Sequence, residues 1–188
     1  KSTALMQVAY NYEERGMRVL IMKPSIDTKG GEKLMSRLGV ERRVDIAVRP
    51  DMDPLALVRA DIAKNGPLAC VLTDESQFFT SWQAEQLFMV TVALNVPVIC
   101  YGLRADFKGD LFPGSEALLV MADKIEEVKT ICWCGKKALC NARFDESGHV
   151  IKEGEQVVLG ANDQYIGLCR KHWMAGDLGP DFRPEDLL

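Results

Sequence analysis

The sequence predicts an α/β fold in which a mostly parallel sheet is flanked by helices and followed by a smaller second domain. Short apolar runs alternate with helical patterns up to about residue 130, as expected of parallel strands joined by helices. Beyond that point, closely spaced cysteines and turn residues replace the alternation. With 188 residues, 47% of them hydrophobic, the chain can bury one sizeable core and carry a small appendage.

The chain opens with a predicted helix that begins at Lys1-Ser2-Thr3 and ends near Gly16. A Lys-Ser/Thr pair at a helix start is the tail of a phosphate-binding P-loop. There the Lys reaches the β- and γ-phosphates and the hydroxyl holds Mg²⁺. We expect the glycine loop and its strand to precede Lys1, which makes the first domain P-loop NTPase-like. Alternatively, Ser2 is a plain N-cap.

The other elements of the first domain follow from apolar runs, caps and breakers. Asp53-Pro54 supplies the N-cap and first residue of a helix that runs to about Lys64 and that Asn65-Gly66 ends. The polar residues 25–36 are expected to form a mobile loop. Strands are predicted at 17–22, 45–48, 69–73, 97–101 and 124–129, and further helices at 80–95 and 115–121.

One strand, at residues 69–73, ends abruptly in the two carboxylates Asp74 and Glu75. Ligands bind beyond the carboxyl ends of parallel strands, so these side chains are placed where chemistry is usually done. The alternative is an ordinary strand followed by an acidic turn. The Lys-Ser/Thr pair at the chain start favours the first interpretation.

The second domain is predicted from two close pairs of metal-ligating residues, Cys132/Cys134 and Cys169/His172. Structural zinc takes four such ligands from two short-spaced pairs. A small lobe with little apolar core needs a bound metal or a similar cross-link to be stable. Cys140 is a possible substitute ligand, and three buried thiols with a surface histidine are the alternative. A turn at 145–148 and a strand-like stretch at 156–159 complete the lobe.

The ordered set of these motifs resembles one family, the thymidine kinases with a P-loop domain and a zinc-bearing lasso domain, and the bacterial members look nearest. The resemblance extends from residue 1 to about 173. It is carried by Lys1-Ser2-Thr3, Asp27-Thr28-Lys29, Asp74 to Phe79, Tyr101 to Phe107, Cys132-x-Cys134, Gly154 to Gly160 and Tyr165 to His172.

The resemblance implies a role for each matching residue. Glu75 matches the catalytic base that takes the proton of the thymidine 5′-hydroxyl. The residues that match cofactor-binding positions are Lys1, Ser2, Thr3, Asp74 and Gln77. Those that match nucleoside-binding positions are Phe78, Leu103, Phe107, Val158, Leu159, Gly160 and Tyr165. The residues that match zinc ligands are Cys132, Cys134, Cys169 and His172.

The resemblance further implies phosphoryl transfer from ATP to thymidine, with deoxyuridine as a second acceptor, giving dTMP and ADP for nucleotide salvage in DNA synthesis. It implies ATP, Mg²⁺ and structural Zn²⁺ as cofactors and a homotetramer as the assembly. The domains are expected at 1–130 (nucleotide binding), 131–176 (zinc-bearing lasso closing over the nucleoside) and 177–188 (flexible tail). Lys29 stands where the family often has Arg, and Asp106 occupies a pocket position where other members have Thr or Asp, which is a mild departure.

Composition limits the alternatives. The net charge of −4 and the pI near 5.3 argue against a general nucleic-acid binder, and no apolar run suits a membrane span, so neither nucleic acid nor membrane is expected as a partner. The cysteine pattern favours a reducing cytoplasm. Two rival interpretations remain: a P-loop ATPase with a zinc ribbon that acts on nucleic acid, and a non-catalytic zinc-bearing assembly module.

Overall fold

The computed structural model describes residues 1–25, 33–35, 41–157, 164–180 and 182–183. The chain divides into two compact units. Unit 1 comprises Lys1–Arg104 and Phe112–Ile125, and unit 2 comprises Ala105–Leu111 and Glu126–Leu188. The segment Ala105–Leu111 therefore groups with the second unit, although the sequence placed it in the first domain. The lasso and tail roles assigned to the second domain remain predictions.

Unit 1 is built on a four-stranded parallel sheet in the order β4-β1-β5-β6. These strands are β1 (Val19–Pro24), β4 (Ile46–Val48), β5 (Cys70–Thr73) and β6 (Val98–Cys100). β1 and β5 are buried almost throughout because successive side chains alternate between two apolar layers. Ile21 and Leu72 pack in one cluster with Leu5 and Ala9, whereas Leu20 and Val71 pack in the other. This confirms the predicted α/β class.

The described residues of unit 1 form four α-helices: α1 (Ser2–Glu13), α2 (Pro54–Asn65), α3 (Ser81–Leu94) and α4 (Pro113–Met121). The Asp53 carboxylate accepts hydrogen bonds from the amides of Leu55 and Ala56 at 2.8 and 3.3 Å, so the predicted N-cap of α2 is confirmed. Thr80 and Gln83 form a capping box at the start of α3. α1 contributes Leu5, Met6 and Ala9 to the core.

Unit 2 contains a three-stranded antiparallel sheet with β7 (Cys140–Phe144) at its centre, between β8 (Val150–Ile151) and β9 (Gln164–Leu168). A turn at the predicted residues 145–148 joins β7 to β8, and Asp145 accepts the amides of Ser147 and His149 there. Helix α5 (Arg170–Ala175) follows β9. The core is small, and two of its six buried members are Cys132 and Cys169.

Three of the secondary-structure predictions differ from the structure. Residues 124–129 form no strand: both apolar residues, Ile125 and Val128, are more than half exposed, so no face is available for burial in a sheet. The stretch predicted as a loop contains strand β2 (Lys33–Met35), which pairs antiparallel with β3 (Glu41–Arg43). Residues 156–157 are not in a strand either, and 158–159 lie outside the described residues.

The six cysteines all lie among the described residues, and none of them is in a disulfide bond. In the part of the chain that the structure describes, no helix combines the length and the apolar character needed to cross a bilayer.

Candidate active site

The two carboxylates lie where the sequence predicted them, directly after β5. The Asp74 amide donates to the carbonyl of Met22 at 3.1 Å and so continues the pairing with β1. Glu75 adopts the left-handed conformation (φ 49°, ψ 39°), which is uncommon for a residue with a side chain and typical of functional sites. The chain thus turns sharply at Glu75 into a 3₁₀ turn, Ser76–Phe78.

A buried serine fixes this turn to the neighbouring strand. Both the amide and the hydroxyl of Ser76 donate to the carbonyl of Tyr101 at 2.9 Å. Ser76 Oγ also lies 2.6 Å from the hydroxyl of Thr73. Sequence reasoning missed this role of Ser76, because its partner lies 25 residues away and carries no local signal.

The start of α1 meets the carboxylates. Ser2 Oγ donates to Asp74 Oδ2 at 2.9 Å, and Lys1 Nζ lies 3.7 Å from Glu75 Oε2. The helix-start motif and the acidic pair therefore contact each other directly. Thr3 lies in the first turn of α1 and is exposed to solvent.

Asp74 is 3% exposed, and its Oδ1 has no hydrogen-bond partner among the described residues. Burial raises the pKa of Asp74 and the neighbouring Glu75 raises it further, whereas the Ser2 hydroxyl and Lys1 act in the opposite direction. A buried carboxylate oxygen without a partner, next to a serine hydroxyl, suits a hard divalent cation, which prefers oxygen ligands. The residues present therefore fit Mg²⁺.

Two more predicted residues of unit 1, Gln77 and Phe78, lie in the same turn, and a third, Leu103, contacts it. Gln77 Nε2 donates to Glu75 Oε2 at 2.6 Å, and Gln77 Oε1 accepts from the amide of Leu103 at 3.0 Å. The Leu103 carbonyl in turn accepts from the Ser115 hydroxyl at 2.6 Å. Phe78 is half-buried and packs edge to face on Phe112, with ring centroids 5.5 Å apart.

Phe107 lies in unit 2, in a segment that a single aspartate organises. Asp106 Oδ1 accepts the amides of Lys108, Gly109 and Asp110 at 2.9–3.0 Å, and its Oδ2 accepts from Gln156 Nε2 at 3.0 Å. The Phe107 side chain is buried, with the guanidinium of Arg143 5.2 Å from its ring centroid. An Asp three residues before a Gly was a turn signal that could have revealed this loop.

The remaining predicted nucleoside-binding residues lie near or beyond the edge of the described part of unit 2. Tyr165, in β9, pairs in register with Arg143 of β7 and is 37% exposed. Val158, Leu159 and Gly160 lie outside the described residues, as do Asp27, Thr28 and Lys29.

The four predicted metal ligands come together in unit 2. The ligand atoms of Cys132, Cys134, Cys169 and His172 all lie within 4.8 Å of one another. His172 Nδ1 is 3.4 Å from Cys132 Sγ and 3.5 Å from Cys169 Sγ, and the sulfurs of Cys134 and Cys169 are 4.0 Å apart. Tetrahedral zinc at ordinary bond lengths separates its ligand atoms by roughly 3.5–3.8 Å.

The surroundings of Cys132 favour its ionised form. Burial opposes ionisation of Cys132, but hydrogen bonds from the amides of Cys134 and Cys169 and from His172 lower its pKa to about 6. The thiolate is the ligand form of cysteine, so this environment favours metal binding. Trp133 stacks on the His172 ring at 4.3 Å between centroids. Cys140 is not one of the four clustered residues and pairs in register with Leu168.

Comparison with known proteins agrees with this arrangement. The sequence model of the family described as "Thymidine kinase" matches residues 1–173. The chain belongs to the thymidine kinase family.

Curated relatives in this family span nearly the whole chain, and each is named "Thymidine kinase". The relative from Ruegeria pomeroyi is 48% identical over 182 residues, covering 95% of this chain and 91% of its own. The relative from Coxiella burnetii is 47% identical over 177 residues, with 94% and 90% covered. The relative from Legionella pneumophila is 44% identical over 188 residues, with 100% and 90% covered.

Membership in the thymidine kinase family assigns a chemistry to the place where the carboxyl end of β5 meets the start of α1. The chain is a kinase and uses ATP, and the cluster of Cys132, Cys134, Cys169 and His172 fits a zinc ion. Within unit 1 the structure links Lys1, Ser2, Asp74, Glu75, Gln77 and Leu103 through direct contacts.

Proposed function

We propose that this protein transfers the γ-phosphoryl group of ATP to the 5′-hydroxyl of thymidine, and also of deoxyuridine, giving the 5′-monophosphate and ADP in nucleotide salvage for DNA synthesis. The observation that supports the proposal most directly is a pair of contacts at the end of β5. Lys1 contacts Glu75 there, and Ser2 contacts Asp74. Phosphoryl transfer depends on charge neutralisation and positioning, and this cluster offers a cation, a metal-facing acid and a proton acceptor.

Each residue of the cluster has its own task. Lys1 binds the β- and γ-phosphate oxygens, Ser2 and Asp74 hold Mg²⁺, and Thr3 contributes its helix-start amide to the phosphate site. When bound, Mg²⁺ neutralises charge on the phosphate oxygens. Glu75 accepts the proton of the attacking 5′-hydroxyl. The unpartnered Oδ1 of Asp74 supports the metal-facing role.

The nucleoside-binding residues of the proposal are those that the resemblance assigns. In the described part of the chain these are Phe78, Leu103, Phe107 and Tyr165. The backbone of Val158, Leu159 and Gly160 supplies the donor and acceptor pattern that distinguishes thymine from cytosine.

Zinc bound by Cys132, Cys134, Cys169 and His172 has a structural role. Four protein ligands close the coordination sphere, so the site stabilises unit 2 and takes no part in the reaction. The protein acts in the cytoplasm as a homotetramer.

A comparison of possible acceptors tests this function. We expect ADP release by the full-length protein with Mg²⁺ to require thymidine, and the nucleoside product to carry one phosphate at the 5′ position. Deoxyuridine should serve as a second acceptor, and 5′-deoxythymidine, which lacks the reacting hydroxyl, should not. ATP turnover that single-stranded DNA stimulates and thymidine leaves unchanged would favour the nucleic-acid-dependent ATPase instead.

A further inference from the structure

We infer that Gln77 is a positioning residue for Glu75: it holds one oxygen of the carboxylate and leaves the other available to the acceptor hydroxyl. The inference rests on the proposed function and concerns contacts within unit 1 alone. It replaces the expectation that Gln77 binds the cofactor.

The two ends of the Gln77 amide have fixed partners. The partner at one end is the Leu103 amide, which can only donate, so it requires the carbonyl oxygen of Gln77 at 3.0 Å. The partner at the other end is the Glu75 carboxylate, which can only accept when ionised, so it requires the amide nitrogen at 2.6 Å. The orientation of the Gln77 amide therefore follows from its partners.

The two oxygens of Glu75 are used differently. Oε2 accepts from Gln77 and lies 3.7 Å from Lys1 Nζ. Oε1 receives no hydrogen bond from any residue that the structure describes. A general base must reach the proton it removes at hydrogen-bond distance, and Oε1 is the oxygen that remains for this contact.

The surroundings hold Gln77 in place. It is 1% exposed, so its side chain presents almost no surface to a solvated ion or a nucleotide phosphate. A Cβ on Gly102 would lie 3.0 Å from Gln77 Oε1 and 3.1 Å from its backbone nitrogen. A Cβ on Gly114 would lie 2.9 Å from the Gln77 carbonyl and 2.4 Å from that of Phe79, so only glycine allows α4 to approach this closely.

Because Gln77 is tightly enclosed, the backbone amide of Leu103 can act through it on the Glu75 carboxylate. Leu103 is a proposed nucleoside-binding residue, and its amide orients the glutamine that orients Glu75. Glu75 itself adopts a left-handed backbone conformation, and the hydrogen bond from Gln77 acts on its side chain directly.

The test is a double-mutant cycle in the full-length protein with Gln77→Met and Glu75→Gln. Gln77→Met keeps the length of the side chain and removes both hydrogen bonds. We expect kcat to fall by roughly 10- to 100-fold, with the KM values for thymidine and ATP changed less than about threefold, because the base is misplaced and binding is retained. In the Glu75→Gln background, Gln77→Met should cause no further loss of kcat.

Gln83→Met is the matched control. Gln83 is also 1% exposed, and its amide nitrogen donates to the carbonyls of Arg49 and Met52, away from Glu75. This variant should lower the melting temperature without a selective loss of kcat. If Gln77→Met does not fold, Gln77→Glu serves as the second variant, because it keeps an acceptor for the Leu103 amide and replaces the donor to Glu75.

The possible outcomes distinguish a failure of the inference about Gln77 from a failure of the proposed function. If Gln77→Met lowers kcat by the same factor in the Glu75→Gln background as in the wild type, or raises the KM for ATP more than about tenfold, Gln77 acts on the nucleotide. Either result would overturn the inference. An unchanged kcat in Gln77→Met would overturn it as well. If the wild type phosphorylates thymidine and Glu75→Gln lowers kcat by roughly 10²- to 10⁴-fold, the proposed function stands whichever of these results is found for Gln77.

Discussion

The indole nitrogen of Trp173 donates a hydrogen bond to the carbonyl oxygen of Phe107 at 3.1 Å, across 66 residues of chain. Trp173 follows His172, one of the four clustered ligands, on helix α5. The metal cluster and the segment Ala105–Leu111 of unit 2 are therefore joined through one short helix.

Trp173→Phe should loosen the segment Ala105–Leu111. The substitution keeps an aromatic ring but removes the N–H donor, leaving the Phe107 carbonyl without this partner. We expect a stability loss of about 0.5–1.5 kcal/mol and faster amide hydrogen exchange in this segment. Trp82→Phe, at a partly exposed position on α3, is the control and should leave this exchange unchanged. Equal exchange in wild type and Trp173→Phe would show that the hydrogen bond does not hold the segment.

Cys169→Ser should remove the metal and destabilise unit 2. Zinc held by the four clustered residues would link a turn near residue 132 to the start of α5, and in small domains such binding energy is folding energy. Elemental analysis should give one zinc per chain in the wild type and much less in Cys169→Ser, which should also be cut faster by protease within unit 2.

Cys140→Ser is the control for this experiment, because Cys140 lies on β7 and is not one of the clustered residues. It should retain one zinc per chain. A wild-type protein purified without metal would contradict the zinc assignment, and loss of zinc from Cys140→Ser would indicate a different ligand set.

Asp74→Asn should raise the melting temperature of the metal-free protein while it abolishes Mg²⁺-dependent activity. The folded state raises the pKa of Asp74, mainly through burial, so the ionised carboxylate destabilises the fold at neutral pH. A group whose pKa is higher in the folded than in the unfolded state stabilises the fold at low pH. This contribution is lost as the pH rises through the folded-state pKa. The advantage of the variant should therefore shrink as the pH is lowered from 7 towards the range where Asp74 takes up its proton.

The measurement is thermal unfolding in EDTA, where a gain of about 1 kcal/mol corresponds to roughly 2–4 °C for a chain of this size. Asp123→Asn, at an exposed position after α4, should leave the melting temperature unchanged. A lower melting temperature for Asp74→Asn would mean that the ionised carboxylate stabilises the metal-free fold.

Local signals predicted much of unit 1. The apolar run before Asp74, the cap at Asp53 and the capping box at Thr80 each act within a few residues of sequence, so they could be identified without the structure. The clustering of the four metal ligands was also predictable, because the chemistry of zinc restricts the spacing of cysteine and histidine pairs.

The remaining features depend on partners that are distant in sequence. The pairing of β7 with β9 joins Cys140 to Leu168, and neither strand alternates clearly enough to predict it. The contact of Gln77 with Leu103 spans 26 residues, and the grouping of Ala105–Leu111 with unit 2 depends on Gln156 and Trp173. Sequence patterns carry no record of such contacts, so the positioning of Glu75 became visible only in the structure.

The formation of dTMP by three proteins tests the central claim, that Glu75 is the base for transfer to the thymidine 5′-hydroxyl. Glu75→Gln should lower kcat by roughly 10²- to 10⁴-fold, because the amide cannot take up the proton. Glu85→Gln makes the same change at an exposed position on α3 and should match the wild type. If Glu75→Gln forms dTMP with the kcat of the wild type, Glu75 is not the base, and the central claim is contradicted.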